Sequence, residues 1–139
     1  MRRAIALTCG LLLAVGLPAP GRAAEANEAA ALQAAEAWLK LIDAGQYGAS
    51  WDEASSAFRK AVSRSMWETK ARAAREPLGT VLARKLASQQ LTHELPGAPD
   101  GTYVLLSFDT RFEHKERGHE TVTMVLEDGR FRGAGYFIR

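Results

Sequence analysis

Hydrophobic positions in the first half of the chain recur at helical spacing. The first stripe occupies positions i, i+3, i+7 and i+10, one face of a helix, and consists of Leu32, Ala35, Leu39 and Ile42. Asp43-Ala44-Gly45 follows this stripe, and a glycine at that point favours a left-handed residue that ends the helix. The pattern therefore predicts a first helix that ends near Gly45.

Two further helices are predicted between this point and Gly79. Ser50-Trp51-Asp52-Glu53 has the sequence of a capping box, and Ser63 or Ser65 is suited to begin the next helix. Pro77 and Gly79 end it. The stripes of these helices are Trp51, Ala54, Phe58 and Val62, and then Trp67, Ala71, Ala74 and Leu78. Three short helices with one apolar face each require a common surface to cover.

The last third of the chain alternates between apolar and polar residues, which is typical of strands. A rigid turn at 95–101 precedes the first clear strand, which runs from Tyr103 to Phe112. Residues 115–118 are predicted to form a polar hairpin tip, and Asp128-Gly129 a two-residue turn. The final strand, 130–138, contains Gly133 and Gly135, which indicate a bulge or bend where another element approaches closely.

The segment 80–95 is ambiguous, because its composition favours helix while its position between two turns slightly favours strand. With that strand the fold class is α+β: about three N-terminal helices packed on a curved four-stranded antiparallel meander. A chain of 139 residues forms one domain, predicted over 31–139, preceded by a disordered segment at 24–30.

Residues 1–23 are predicted to be a secretory signal peptide. Arg2-Arg3 precedes an apolar run from Ala4 to Leu17, and Gly21-Arg22-Ala23 places small residues before a cut after Ala23. The run is short for a membrane span, which needs about 20 apolar residues. The expected location is therefore the periplasm or the exterior, without a stable membrane span after cleavage.

Removal of this segment changes the chemistry of the domain. Cys9 is the only cysteine, so the mature domain contains no disulfide or thiolate ligand. Without Arg2, Arg3 and Arg22 the chain keeps 15 basic residues against 16 acidic ones, a formal net charge of −1. Nucleic acid is therefore not an expected partner.

Six spaced motifs occur along the chain. They are Trp38-Leu39-x-Leu41-Ile42-Asp43-x-Gly45-x-Tyr47, Ser50-Trp51-x-x-Ala54-Ser55-x-x-Phe58, Arg75-x-Pro77-Leu78-Gly79-x-Val81-x-x-Arg84, Leu95-Pro96-Gly97-Ala98-Pro99-Asp100-Gly101-x-Tyr103, Glu120-Thr121-Val122-Thr123 and Asp128-Gly129-x-Phe131-Arg132-x-x-Gly135-Tyr136.

Together these motifs resemble the bacterial extracytoplasmic family known as domain of unknown function 4019. The similarity covers about residues 30–139, and one departure is Phe131, where tryptophan is expected. The resemblance implies helices followed by a curved sheet, similar to a reduced cystatin-like or nuclear-transport-factor-2-like cone, and it favours strand for 80–95. It implies no activity.

The densest polar cluster is Glu113 to Glu120, which contains His114 and His119. Imidazole and carboxylate groups bind divalent metals, but a site needs three or four convergent ligands. The two histidines are expected on opposite arms of a hairpin, with cations between them. A solvated strand tip explains the cluster, so no metal site is predicted.

A ligand site is predicted on the concave face of the sheet. Its candidate residues are Tyr103, Asp109, Phe112, Tyr136 and Arg84. A tyrosine or aspartate in an apolar cavity can also transfer protons, so a small enzyme of the cone type is the alternative. Arg84, like Arg75, can instead pair with carboxylates and fix the crossing of helix and sheet.

No phosphate-binding loop or nucleophile–base motif is present, and no cofactor is predicted. The first functional hypothesis is a non-catalytic envelope domain that binds a small ligand or another envelope protein. Self-association, with a possible homodimer, is a third hypothesis.

Overall fold

The computed structural model describes residues 16–17 and 19–139. Helices come first and strands second, which confirms the α+β class. A single 3-10 turn, Glu76–Leu78, connects the two halves. The helices are α1 (Pro20–Asp43), α2 (Tyr47–Asp52), α3 (Ser56–Ala61) and α4 (Arg64–Arg75), and the strands are β1 (Val81–Thr92), β2 (Tyr103–Phe112), β3 (Lys115–Glu127) and β4 (Arg130–Ile138).

The four strands form one antiparallel sheet in the order β1-β2-β3-β4. The ambiguous segment 80–95 is therefore a strand. Asp128 and Gly129 both have positive φ, 51° and 76°, as a two-residue hairpin turn requires. The alternation along β2 holds as predicted: its even-numbered residues are buried on the face that the helices cover, which we call the inner face.

The helices fill the inner face with aromatic side chains. Trp38 of α1 stacks on Trp67 of α4, with ring centroids 6.0 Å apart, and Phe58 contacts both rings edge-on. The register of β3 and β4 shifts between Gly135, which pairs with Thr123, and Gly133, which pairs with Met124. A Cβ at Gly133 would lie 2.5 Å from the Trp38 ring. The predicted bulge near the two glycines and the close approach of another element are both confirmed.

The helix between Ser50 and Val62 differs from the prediction. Two helices, α2 and α3, replace one, and Ser50 lies inside α2 instead of capping it. Its hydroxyl donates to the Tyr47 carbonyl and accepts from the Trp67 indole, so a buried tertiary contact overrides the local capping pattern. Ser55 is the N-cap of α3 and Ser63 is the N-cap of α4. The hydroxyl of each accepts a hydrogen bond from the backbone N–H three residues later.

Two further expectations are corrected. Residues 24–30 lie within α1, because alanine-rich sequence favours helix strongly. Residues 115–118 belong to β3, so the β2–β3 turn is Glu113-His114 alone. Gly118 is buried there against Phe112.

The predicted signal peptide lies mostly outside the described residues, and its cleavage after Ala23 stays a prediction. Among the described helices, none has the length and hydropathy that a membrane span requires.

Candidate functional site

Asp43 is the centre of an ion-pair network on the inner face. It ends α1 and accepts from Nη2 of Arg75 at 2.8 Å, and from Nη1 and Nη2 of Arg84 at 2.8 and 2.9 Å. Burial raises the pKa of Asp43, but the hydrogen bonds from Arg84 and Arg75 lower it by more, so it lies below its ordinary value of 3.8. The carboxylate therefore links α1, α4 and β1.

Glu120 is the second carboxylate of the network, and its side chain is fully buried. It accepts from Nε and Nη2 of Arg84 at 2.8 and 3.1 Å, from the Thr110 hydroxyl at 2.5 Å, and from the Tyr136 hydroxyl. Two guanidinium groups and two carboxylates balance, so the charge of the buried Glu120 is compensated, while Asp43 lies at the exposed end of the network.

The Tyr136 hydroxyl also accepts a hydrogen bond from Nη1 of Arg75 at 3.3 Å. Burial raises the pKa of Tyr136 above its ordinary value of 10.0, and the negative charge of Glu120 raises it further. The Arg75 guanidinium lies over the Phe112 ring, 5.1 Å from its centroid. A phenol that stays protonated and engaged in this way is unsuited to general base catalysis at neutral pH.

A groove of about 720 Å³, which we call the α1 groove, lies between α1 and the β3–β4 hairpin. It is open to solvent, and its volume falls within the range of small-molecule sites. Its wall on α1 consists mainly of small side chains, and charged residues of β4 lie beside an apolar floor. The lining residues are Asn27, Ala30, Gln33, Ala34, Ala37, Trp38, Leu41, Glu53, Met124, Leu126 and 129–133.

The five predicted site residues do not form one site. Arg84, Phe112 and Tyr136 meet on the inner face, where the helices cover them. Tyr103 and Asp109 lie on the outer face, because alternate residues of β2 project to opposite sides. The Tyr103 hydroxyl donates to the Pro99 carbonyl at 2.6 Å, and Asp109 pairs with His119 at 2.8 Å. The prediction of a shared concave pocket is corrected, since the helices occupy that face.

The cluster around the β2–β3 turn is also divided between two faces. Glu120 is buried inside, whereas His119 is exposed outside, because the two are consecutive residues of β3. Among the described residues, no three histidine, cysteine, aspartate or glutamate side chains converge as metal ligands would.

Sequence reasoning missed three of the residues that matter. Glu120 lies two and four residues before Val122 and Met124 on β3, so the strand alternation places its carboxylate on the same, inner face as these buried residues. Asp43 was interpreted only as part of a helix stop. Arg132 was named only as part of a family motif and not as a site residue, although it lines the groove. The groove itself had one signal, a second apolar stripe on α1 formed by Ala30, Ala34, Ala37 and Leu41.

Comparison with known proteins gives one family. Searches of the curated proteins and of the solved structures return no significant match. The family described as protein of unknown function (DUF4019) matches residues 34–136, which is most of the chain and includes the network and the greater part of the groove. The chain belongs to this family.

Proposed function

We propose that the chain is an exported, non-catalytic binding domain and that its ligand site is the α1 groove. One observation carries this proposal: the groove encloses about 720 Å³ and combines an apolar floor with a charged rim. Binding sites for small molecules have this composition. The N-terminal pattern of a signal peptide supports export.

The state of the ionisable centre supports a non-catalytic role. Glu120 and Asp43 accept from arginine donors, and Tyr136 is held between Glu120 and Arg75. These contacts tie α1, α4 and the sheet together. Tyr103 and Asp109, the alternative acid–base residues, lie on the other face of the sheet and outside the α1 groove.

A pair of alanines on one helix provides the test. Ala37 lines the groove and Ala29 does not, although both are exposed on α1. The uncharged fluorescent probe N-phenyl-1-naphthylamine should bind the wild-type protein, and Ala37→Trp should weaken its binding at least about tenfold by filling the groove. Ala29→Trp should leave the affinity unchanged. No binding to the wild-type protein, or equal binding to both variants, would contradict the proposal.

Self-association is a second candidate, supported by Phe137. This side chain is 71% exposed on β4, which is an edge strand of the sheet. Exposed edges pair readily with another chain. Sedimentation velocity should show a concentration-dependent dimer that Phe137→Ser abolishes. A monomer at all concentrations would rule this candidate out.

A further inference from the structure

Arg132 borders the α1 groove with its guanidinium incompletely bonded. Its side chain is 20% exposed, and Nε is buried without a hydrogen-bond partner among the described residues. Its one hydrogen bond within that part of the chain is a long one, 3.4 Å, from Nη1 to the Glu53 carbonyl. A guanidinium has five N–H donors, so most of the capacity of Arg132 is unused.

Two carboxylates form ion pairs with Arg132 but accept no hydrogen bond from its guanidinium. An oxygen of Glu127 lies 3.6 Å from Nε and an oxygen of Glu53 lies 3.9 Å from Nη1, within ion-pair distance and beyond hydrogen-bond distance. Glu127 is held instead by Ser56, whose backbone N–H and hydroxyl donate to it at 2.9 and 2.8 Å. The Glu53 side chain is 62% exposed. The charge of Arg132 is therefore paired, but its buried Nε–H donor is not hydrogen-bonded within the described chain, which is costly and favours an added acceptor oxygen.

Arg130 adds a second cation to the same lining. It is exposed, and no described carboxylate lies within 4.0 Å of its guanidinium. Arginine binds a carboxylate through two parallel N–H bonds, so this end of the groove suits an anionic head group. The rim is thus chemically distinct from the floor.

The rest of the groove suits an unbranched apolar chain. Its wall on α1, from Asn27 to Leu41, extends about 21 Å at 1.5 Å per residue. The alanines of this wall leave space, and Leu126 and Phe131 of the β3–β4 hairpin supply apolar surface opposite. Contact along such a surface removes apolar area of the ligand from water.

We propose that the α1 groove binds a single-chain carboxylate amphiphile, with its head group on Arg132 and its tail along α1. This inference rests on the proposed function, because it names the ligand class of the same groove. The carboxylate would accept hydrogen bonds from the Nε and Nη donors of Arg132, and the positive charge of Arg130 would attract it further.

Two ligands with the same tail test the head group without any substitution. Dodecanoate and dodecyltrimethylammonium are titrated into the full protein by calorimetry, below their micelle concentrations. Dodecanoate should bind at least about tenfold more tightly, since one carboxylate–guanidinium pair accounts for such a ratio. Equal affinities, or a preference for the cation, would overturn the inference.

Arg132→Gln should abolish this preference, and binding of the neutral probe to the same variant checks that its groove is still formed. Arg111→Gln, an exposed arginine on another strand, is the matched control and should change neither. Loss of the head-group preference in the control as well would show a general charge effect and overturn the inference. If the neutral probe binds and the preference is absent, only the inference fails. If neither probe nor dodecanoate binds, the proposed function fails too.

Discussion

Asp43 and Arg84 lie 41 positions apart and are joined by two parallel hydrogen bonds of 2.8 and 2.9 Å. The same guanidinium binds Glu120 on the sheet through Nε and Nη2. One side chain therefore connects the end of the first helix to the third strand. We attribute a structural role to this network, and four predictions about stability follow from it and from the packing of α1.

Glu120→Gln should lower the free energy of unfolding by about 3 kcal/mol. The substitution removes a fully buried negative charge that accepts from Arg84, Thr110 and Tyr136, and although Arg84 keeps Asp43, breaking one partner out of a buried charged network is strongly destabilising. Urea denaturation measures the change. Glu116→Gln, at an exposed position of the same strand, should change it by less than about 0.5 kcal/mol. A loss below about 1 kcal/mol at Glu120 would contradict the assigned role.

Acid should weaken the fold through Asp43. The pKa of its carboxyl group is below 3.8 in the folded state, so its stabilising effect is complete above that value. The effect is lost as pH falls through the lower, folded-state pKa. The free energy of unfolding of the wild-type protein should therefore decline below about pH 4, and Asp43→Asn should decline less steeply. Parallel curves for the two proteins would contradict this prediction.

Alkali should act through Tyr136. Its pKa is raised above 10.0 in the folded state, so its contribution is complete below pH 10 and is lost as pH rises towards the folded value. Absorbance at the phenolate band should show that Tyr136 ionises only when the protein unfolds. Tyr136→Phe removes this step and should cost about 1 to 2 kcal/mol at neutral pH, as the hydroxyl bonds to Glu120 and Arg75 are lost. Normal ionisation of all three tyrosines in the folded protein would contradict the geometry.

Gly133→Ala should destabilise the domain by about 1 to 3 kcal/mol, because the new methyl group would overlap the Trp38 ring. Gly135→Ala is the matched control on the same strand. Its Cβ would lie 3.6 Å from Thr123, an ordinary contact, so its effect should be small. Thermal unfolding of the two variants measures the difference. Equal midpoints would contradict the packing of Trp38 on β4.

The features that could be predicted from sequence are those that nearby residues determine. Strand alternation, the Asp128-Gly129 turn and the bulge at Gly133 depend on a few adjacent positions, and all three are confirmed. The prediction that Ser50 caps a helix was wrong, because its hydroxyl accepts a hydrogen bond from Trp67, 17 residues away, and this contact competes with local capping.

The candidate site could be predicted only in part, for the same reason. Arg84 was expected either to bind a ligand or to pair with carboxylates. Its partners, Glu120 and Asp43, are 36 and 41 positions away in the sequence. The α1 groove depends on the separation between α1 and the β3–β4 hairpin. No local pattern specifies that separation. The alanine stripe on α1 indicates only a helix face with small side chains that no other element of the described chain covers.

The most direct test of the α1 groove as the binding site is amide mapping by NMR with the uncharged probe N-phenyl-1-naphthylamine. The account predicts that chemical-shift changes concentrate at Ala30, Ala34 and Ala37 of α1 and at Phe131 and Arg132 of β4. Shifts that cluster instead around Tyr103 and Asp109 on the outer face, or a spectrum that the probe leaves unchanged, would contradict it.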